Sequence, residues 1–309
     1  MLTLTPEERK QSCEKHRANS GADITPPVCP LCAEMKTVRL GFRTVEGSQW
    51  RVAECRSCKL VFTDPQPSET DIRSFYQGDY HSELRQPGRT EAVFGEKFDG
   101  YCEWLHRYCE IGRSLDIGCS TGLLVKKLQD RGFQAEGYEA NALSAEWGRS
   151  HYGVMIHVGV FNPHVVQPRS YDLITLCDVL EHTVNPLEYL RAVRESLRPS
   201  GHIMVTFPHI WCIESLYYRA ISKLFNRDWL WQSCNVPYHT WEFTPQTARH
   251  VFEQAGFGIV AFRRRRDPGI EPIDWRRPVS LIHVPPRILE FHPLGNRFGS
   301  QMHFLLKPQ

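Results

Sequence analysis

No run of about 18 uncharged apolar residues occurs in the sequence, so no membrane-spanning helix is expected. The first residues, MLTLTPEERKQ, turn polar after four positions and lack the apolar centre of a secretory leader, which points to a cytoplasmic chain. Neither sign of charge dominates. The 37 Lys and Arg face 35 Asp and Glu, and a net charge of +2 argues against a general nucleic-acid surface. There is no internal repeat and no low-complexity segment. The one dense basic run, residues 263–266, reads as a solvated strand end, with an anionic-ligand role as the alternative.

Cysteine, by contrast, is plentiful, at 11 residues in 309. Without a secretion signal these read as reduced thiols and metal ligands rather than disulfides. Cys29-Pro-Leu-Cys32 and Cys55-Arg-Ser-Cys58 are two C-x-x-C knuckles. A two-residue gap lets both sulfurs of a knuckle reach one ion, and four thiolates close a tetrahedral structural zinc site. Four Cys leave no open position, so a catalytic zinc is not expected there. Short alternating runs such as QWRVA between the knuckles predict small strands. The other cysteines carry no ligand spacing.

Four regions are expected: a polar arm over 1–25, a zinc ribbon over 26–65, a linker and helical lid segment over 66–110, and a larger domain over 111–309. DPQPS at 64–68 is turn-forming, and Phe94, Phe98, Tyr101, Leu105 and Tyr108 recur at helical spacing. From residue 114 short apolar strands (SLDIGC, QAEGYEA, VMIHVGV, YDLITLCDVL, HIMVTFP) alternate with helices (121–132, 141–153, 185–201), and that order means a parallel α/β sheet. Asn141 is placed to cap a helix. A capped helix over 244–256 and strands FGIVAFRR and SQMHFLLKP follow. The aromatic stretch within 210–240 is expected to form an amphipathic cap over the site, with a membrane-surface helix as the alternative.

GCSTG at 118–122 fits two chemistries. As G-x-S-x-G it is the nucleophile elbow of an α/β-hydrolase with Ser120 attacking, and His239 and Asp172 or Asp178 are available as partners. As a strand, a glycine turn and a helix it is a cradle for a nucleotide-like cofactor. No glycine-rich oxyanion segment precedes it, which weakens the elbow. The cradle accounts for more. Asp116, Glu139 and Asp178 end three strands, and three acids suit a ligand carrying an amine, a sulfonium and a ribose better than a pyrophosphate.

LDIGCSTG, GYEAN and YDLITLCDVLEHTVNPLEYLRAVRESLRPSGHIMVTFP together resemble the class I S-adenosylmethionine-dependent methyltransferases over roughly residues 110–260. The branch resembled includes ubiquinone-type O-methyltransferases and zinc-ribbon sugar methyltransferases. Ser120 stands where that loop often has glycine. The resemblance implies a Rossmann-like, mostly parallel seven-stranded sheet with helices on both faces, plus a small N-terminal zinc-ribbon module. It implies S-adenosylmethionine held by Asp116, Gly118, Cys119 and Gly122 at the methionine part, by Glu139 and Ala140 at the ribose, and by Asp178 and Val179 at the adenine or methionine end. Catalytic or acceptor-contacting candidates are His182, His239 and Tyr80, each also open to a purely structural role. LVFTDPQPS and FYQGDYHSE match ribbon modules that reach back over the catalytic domain. The expected reaction is methylation of a small molecule, first of a hydroxyl. Alternatives are a nucleotide-linked sugar, a macromolecule docked by the ribbon, or a non-catalytic sensor of the cofactor.

Overall fold

The computed structural model describes residues 27–45, 48–77, 82–162, 168–225, 237–265 and 299–309. Two sheets organise them. The smaller is antiparallel and runs β1 (Thr37–Val45), β2 (Ser48–Cys55), β3 (Val61–Asp64) and β9 (Trp241–Glu242). The larger has seven strands in the order β10–β11–β8–β7–β4–β5–β6. These are β4 (Arg113–Ile117), β5 (Gln134–Glu139), β6 (Ile156–Val158), β7 (Tyr171–Cys177), β8 (Leu197–Pro208), β10 (Phe257–Arg265) and β11 (Gln301–Pro308). β11 is antiparallel to both its neighbours, and the other pairings are parallel.

The central strands read as continuous apolar runs because both faces are covered. Adjacent residues point to opposite layers. Val205 and Phe304 enter one core with Phe207 and Phe252, while Met204 and Leu305 enter the other with Leu124 and Leu128. The covering helices include α3 (Leu123–Gln129), α4 (Ala142–Tyr152), α5 (Pro186–Ser196) and α7 (Pro245–Gln254). Their starts are written in side chains. Asn141 accepts from the Ser144 N–H, Asn185 precedes Pro186 and accepts from Glu188, and Thr244 forms a reciprocal box with Thr247. Each such cap is worth about 1 kcal/mol.

The segment 66–110, expected as linker and lid, divides in two. α1 (Glu69–Gln77) stands at the mouth of the cavity described below. α2 (Arg89–Leu105) instead buries Tyr101, Trp104 and Leu105 against the sheet. Tyr108 lies beyond its end. The expected helix through 201 stops at Ser196, and Leu197 already begins β8. The expected strand through Leu180 stops at Cys177, because Asp178 takes φ +58° and Leu180–His182 form a 3-10 turn.

The aromatic stretch is corrected as well. α6 (Ile213–Phe225) buries Tyr218, with Tyr217 and Ile221 beside it, against Trp50, Val52 and Val61 of the small sheet. The apolar face of that sheet needs cover, and α6 supplies it. No described residue of 211–225 lines the cavity. The basic run is structural at Arg263, which donates to the Gly100 carbonyl and lies over the Trp104 ring.

Candidate active site

A cavity of about 870 Å³ opens at the carboxyl ends of β4, β5 and β7. The strand order reverses between β4 and β7, the place where open α/β sheets bind ligands. The loop after β4 forms one wall. The Gly118 and Cys119 N–H groups both donate to the Tyr138 carbonyl, at 2.8 and 3.0 Å, which pins the loop to β5. Gly118 has φ +76°, and a Cβ there would lie 2.6 Å from Val179 Cγ2. Gly122 has φ +79°, and a Cβ there would lie 2.8 Å from Ile156 Cδ1. Both positions require glycine.

Asp116 is buried and accepts from the Thr175 hydroxyl at 2.6 Å. Burial pushes its carboxyl up to about 7, against the Thr175 hydrogen bond and with help from the Glu139 charge. Glu139 accepts from the Ser120 N–H at 2.8 Å and the Asn141 N–H at 2.7 Å. Its carboxyl is raised by burial, which these backbone donors partly offset. Each oxygen retains acceptor capacity toward the cavity.

Asp178 lies opposite and pairs with Lys97 at 2.9 Å. Thr206 and Gln301 donate to its other oxygen. The site therefore does not present three bare acids, since a buried ammonium faces one of them. Lys97 was not foreseen. Its signal was a lysine on the same helical stripe as Phe94, Phe98 and Tyr101.

The 3-10 turn after β7 carries Glu181 and His182, and the strand β9 is entered through His239 and Thr240. Thr240 ties the two together, its N–H donating to the Glu181 carbonyl at 2.9 Å and its hydroxyl to the Thr183 carbonyl at 2.7 Å. The His182 and His239 rings meet edge to face at 4.5 Å between centroids. His182 Nδ1 contacts the Tyr76 hydroxyl at 2.7 Å and the Tyr238 carbonyl at 3.1 Å. His239 Nδ1 lies 3.3 Å from Glu242 Oε1. Glu181 is buried, and among the described residues neither oxygen has a hydrogen-bond partner. Burial holds its carboxyl well above the usual carboxylate range, and the Asp178 and Glu242 charges push the same way.

The fold thus brings together Asp116, Gly118, Cys119, Glu139, Ala140, Asp178, Val179, His182 and His239 around one cavity. Gly122 is not on its surface. It packs against Val154 and Ile156 and starts α3. Tyr80 lies outside the described residues. Tyr76, which was not foreseen, reaches His182 from α1.

Cys29, Cys32, Cys55 and Cys58 form a second cluster, with ligand atoms within 4.8 Å of one another. The Sγ–Sγ distances are 3.5 Å for Cys29–Cys58 and 3.6 Å for Cys32–Cys55. Thiolates on a tetrahedral zinc stand about 3.8 Å apart, so the donor set fits that ion. Ala33 and Lys59, each following a knuckle, both take positive φ and return an N–H to the first cysteine of their knuckle. This module touches the cavity through β3. The Thr63 hydroxyl donates to the His239 carbonyl at 2.8 Å, and the Thr63 N–H to the Thr240 carbonyl at 3.1 Å.

A seven-stranded sheet with one reversed strand, a glycine turn after its central strand and an acid after the next define a class I S-adenosylmethionine-dependent methyltransferase. Comparison with known proteins agrees. A family model described as a methyltransferase domain matches residues 84–261, and the chain belongs to that family. Ubiquinone biosynthesis O-methyltransferases of Serratia proteamaculans and Yersinia pestis are 30% identical to it over 95 residues, 29% of this chain. The match spans 39% of those relatives' own length. Among solved structures, magnesium protoporphyrin IX methyltransferase of Synechocystis, with bound SAH, superposes with a TM-score of 0.52 at 12% identity, covering 78% of this chain and 100% of that one. The 1,6-didemethyltoxoflavin-N1-methyltransferase of Burkholderia thailandensis, with bound S-adenosylhomocysteine, gives 0.51 at 14% identity, covering 87% and 99%. These likenesses are of fold. Among the described residues no helix is long and apolar enough to cross a membrane.

Proposed function

We propose that the chain transfers a methyl group from S-adenosylmethionine to a hydroxyl of a small molecule, in secondary or cell-surface metabolism in the cytoplasm. One observation carries the reading. A single cavity joins a glycine turn and two acids, Asp116 and Glu139, to the His182–His239 pair. The cofactor supplies a sulfonium methyl: the acceptor oxygen bonds to that carbon as the carbon–sulfur bond breaks, a neutral thioether leaves, and the hydroxyl proton is lost.

The chain's own residues do the rest. Asp116 faces the cationic amino group, and Gly118 lets the backbone approach the cofactor. Glu139 accepts the ribose hydroxyls, while Asp178 and Val179 flank the far side. His182 and His239 stand at the acceptor oxygen, and Tyr76 fixes His182. Holding the two reacting atoms in line at about 3 Å supplies much of the acceleration. The likeness to O-methyltransferases supports a hydroxyl acceptor. The ribbon binds one structural zinc and, through Thr63, positions His239. Residues 27–65 form that module, and the catalytic domain begins with α2.

A nucleotide-linked sugar is the second reading, favoured by Arg73 on α1 at the cavity mouth, where a diphosphate would find a cation. Methyl-labelled S-adenosylmethionine offered with phenols in one reaction and nucleotide sugars in another separates the two. Label in an O-methyl phenol supports the first reading, and label confined to the sugars replaces it with the second. Cofactor binding without transfer to any acceptor class, cell extract included, would indicate a sensor.

A further inference from the structure

We propose that Glu242 is a positioning residue for the reaction: its carboxylate holds a proton on His239 Nδ1 and leaves the Nε2 lone pair of that ring to take the acceptor's hydroxyl proton. The proposal deepens the hydroxyl reading above and rests on it for the source of the proton, though not for the state of the ring.

The geometry begins with the backbone. Residues 239 and 240 are held from two sides. Thr63 of β3 donates to the His239 and Thr240 carbonyls, and Thr240 donates to the Glu181 and Thr183 carbonyls. β9 then pairs Glu242 with Val61 of β3. With both backbones fixed, the two side chains meet three positions apart. His239 Nδ1 lies 3.3 Å from Glu242 Oε1, and the side chains are 11% and 4% exposed.

Burial and charge assign the proton. Among the described residues, His239 is the one side chain to which the buried Glu242 carboxyl bonds. A buried carboxylate needs a donor or a cation, and an imidazole can supply either. Glutamic acid is a stronger acid than imidazolium by about two pH units, so a proton between the two sits on the ring. Glu181 lies beside the pair, and burial holds its carboxyl well above the usual carboxylate range. Of these two neighbouring carboxyls, Glu242 therefore bears the charge. A carboxylate only accepts, so Nδ1 donates to it. Nε2 has no hydrogen-bond partner among the described residues, and His239 lines the cavity.

The step balances. The acceptor oxygen bonds to the sulfonium methyl as the carbon–sulfur bond breaks, and the O–H proton passes to Nε2. The ring becomes an imidazolium, whose charge the Glu242 carboxylate balances, and it later returns the proton to solvent. A base oriented by a third group in this way is a recurrent arrangement for activating a nucleophile.

The test has two arms, both on the full chain. The first is long-range proton–nitrogen correlation on protein made with isotope-labelled histidine, at about pH 8, above the ordinary imidazole range. The signals lost in His239→Ala identify the ring. The expected spectrum shows the wild-type ring protonated at Nδ1 and bare at Nε2. The second arm is kinetic. Glu242→Gln keeps the size and removes the charge, and it should lower kcat for hydroxyl methylation about tenfold or more, with the KM for S-adenosylmethionine unchanged. Glu242→Asp keeps the charge and should recover part of the rate. Circular dichroism verifies folding, and should a variant unfold, the wild-type spectrum decides. A wild-type His239 protonated at Nε2, or a folded Glu242→Gln as fast as the wild type, overturns the proposal. A wild type that carries the Nδ1 proton yet methylates no hydroxyl defeats the hydroxyl reading instead and upholds the pair.

Discussion

The Lys97 ammonium lies 2.9 Å from the Asp178 carboxylate, and the two differ in exposure, at 4% and 34% of their side chains. That asymmetry sets the outcome of breaking the pair. Asp178→Ala removes the carboxylate from a nearly buried cation, and about 3 kcal/mol of stability should be lost. Lys97→Met leaves a carboxylate that solvent reaches and that Thr206 and Gln301 still serve. It should lose less than half as much. Urea unfolding of the two variants checks the order, and a larger loss for Lys97→Met would reverse the account.

Asp116 predicts a pH dependence of cofactor binding. Its folded pKa is raised from 3.8 to about 7, so the protonated form is favoured in the free protein, and stability from this group falls as pH rises through that window. A cationic amino group favours the ionised form. Affinity for S-adenosylmethionine should therefore rise with pH up to about 7 and level off above it. Asp116→Asn should bind weakly and without that slope. Calorimetric titrations across the range test this, and a flat wild-type profile would contradict it.

Thr63 predicts communication between ribbon and cavity. Thr63→Val removes the hydrogen bond to the His239 carbonyl, with about 1 kcal/mol of stability expected to go with it. With His239 at the acceptor, as proposed, and not at the cofactor, kcat should fall several-fold while the KM for S-adenosylmethionine stays constant. Thr63→Ser should restore the rate. Cys55→Ser should lower bound zinc from about one per chain to none and reduce the rate further, since β3 carries Thr63.

Much of this was legible from residues 110–260. The alternation of apolar strands and capped helices fixes the sheet, and the positions of Asp116, Gly118, Glu139 and His182 follow from their places at strand ends. The ends of elements were not legible. Nothing in YDLITLCDVL marks the turn at Asp178, because an apolar run does not reveal a positive φ. RPSG reads as a helix stop, yet Arg198–Gly201 extend β8. Tertiary partners were hidden too. β9 is two residues long and exists only because β3 offers it an edge. The α6 aromatics face the ribbon because that sheet has an apolar face to cover, and the pattern of a helix does not say which surface it meets. Lys97 among aromatics was visible, but its partner lies 81 positions away.

The most direct test of the central claim is transfer of labelled methyl from S-adenosylmethionine to a hydroxyl acceptor by wild type and by His239→Ala, with cofactor affinity measured in parallel. The account predicts transfer by the wild type, a loss of 100-fold or more in the variant, and cofactor affinities within about threefold of each other. Equal transfer by both would remove His239 from the acceptor site, and a wild type that binds the cofactor yet methylates no hydroxyl would contradict the proposed reaction.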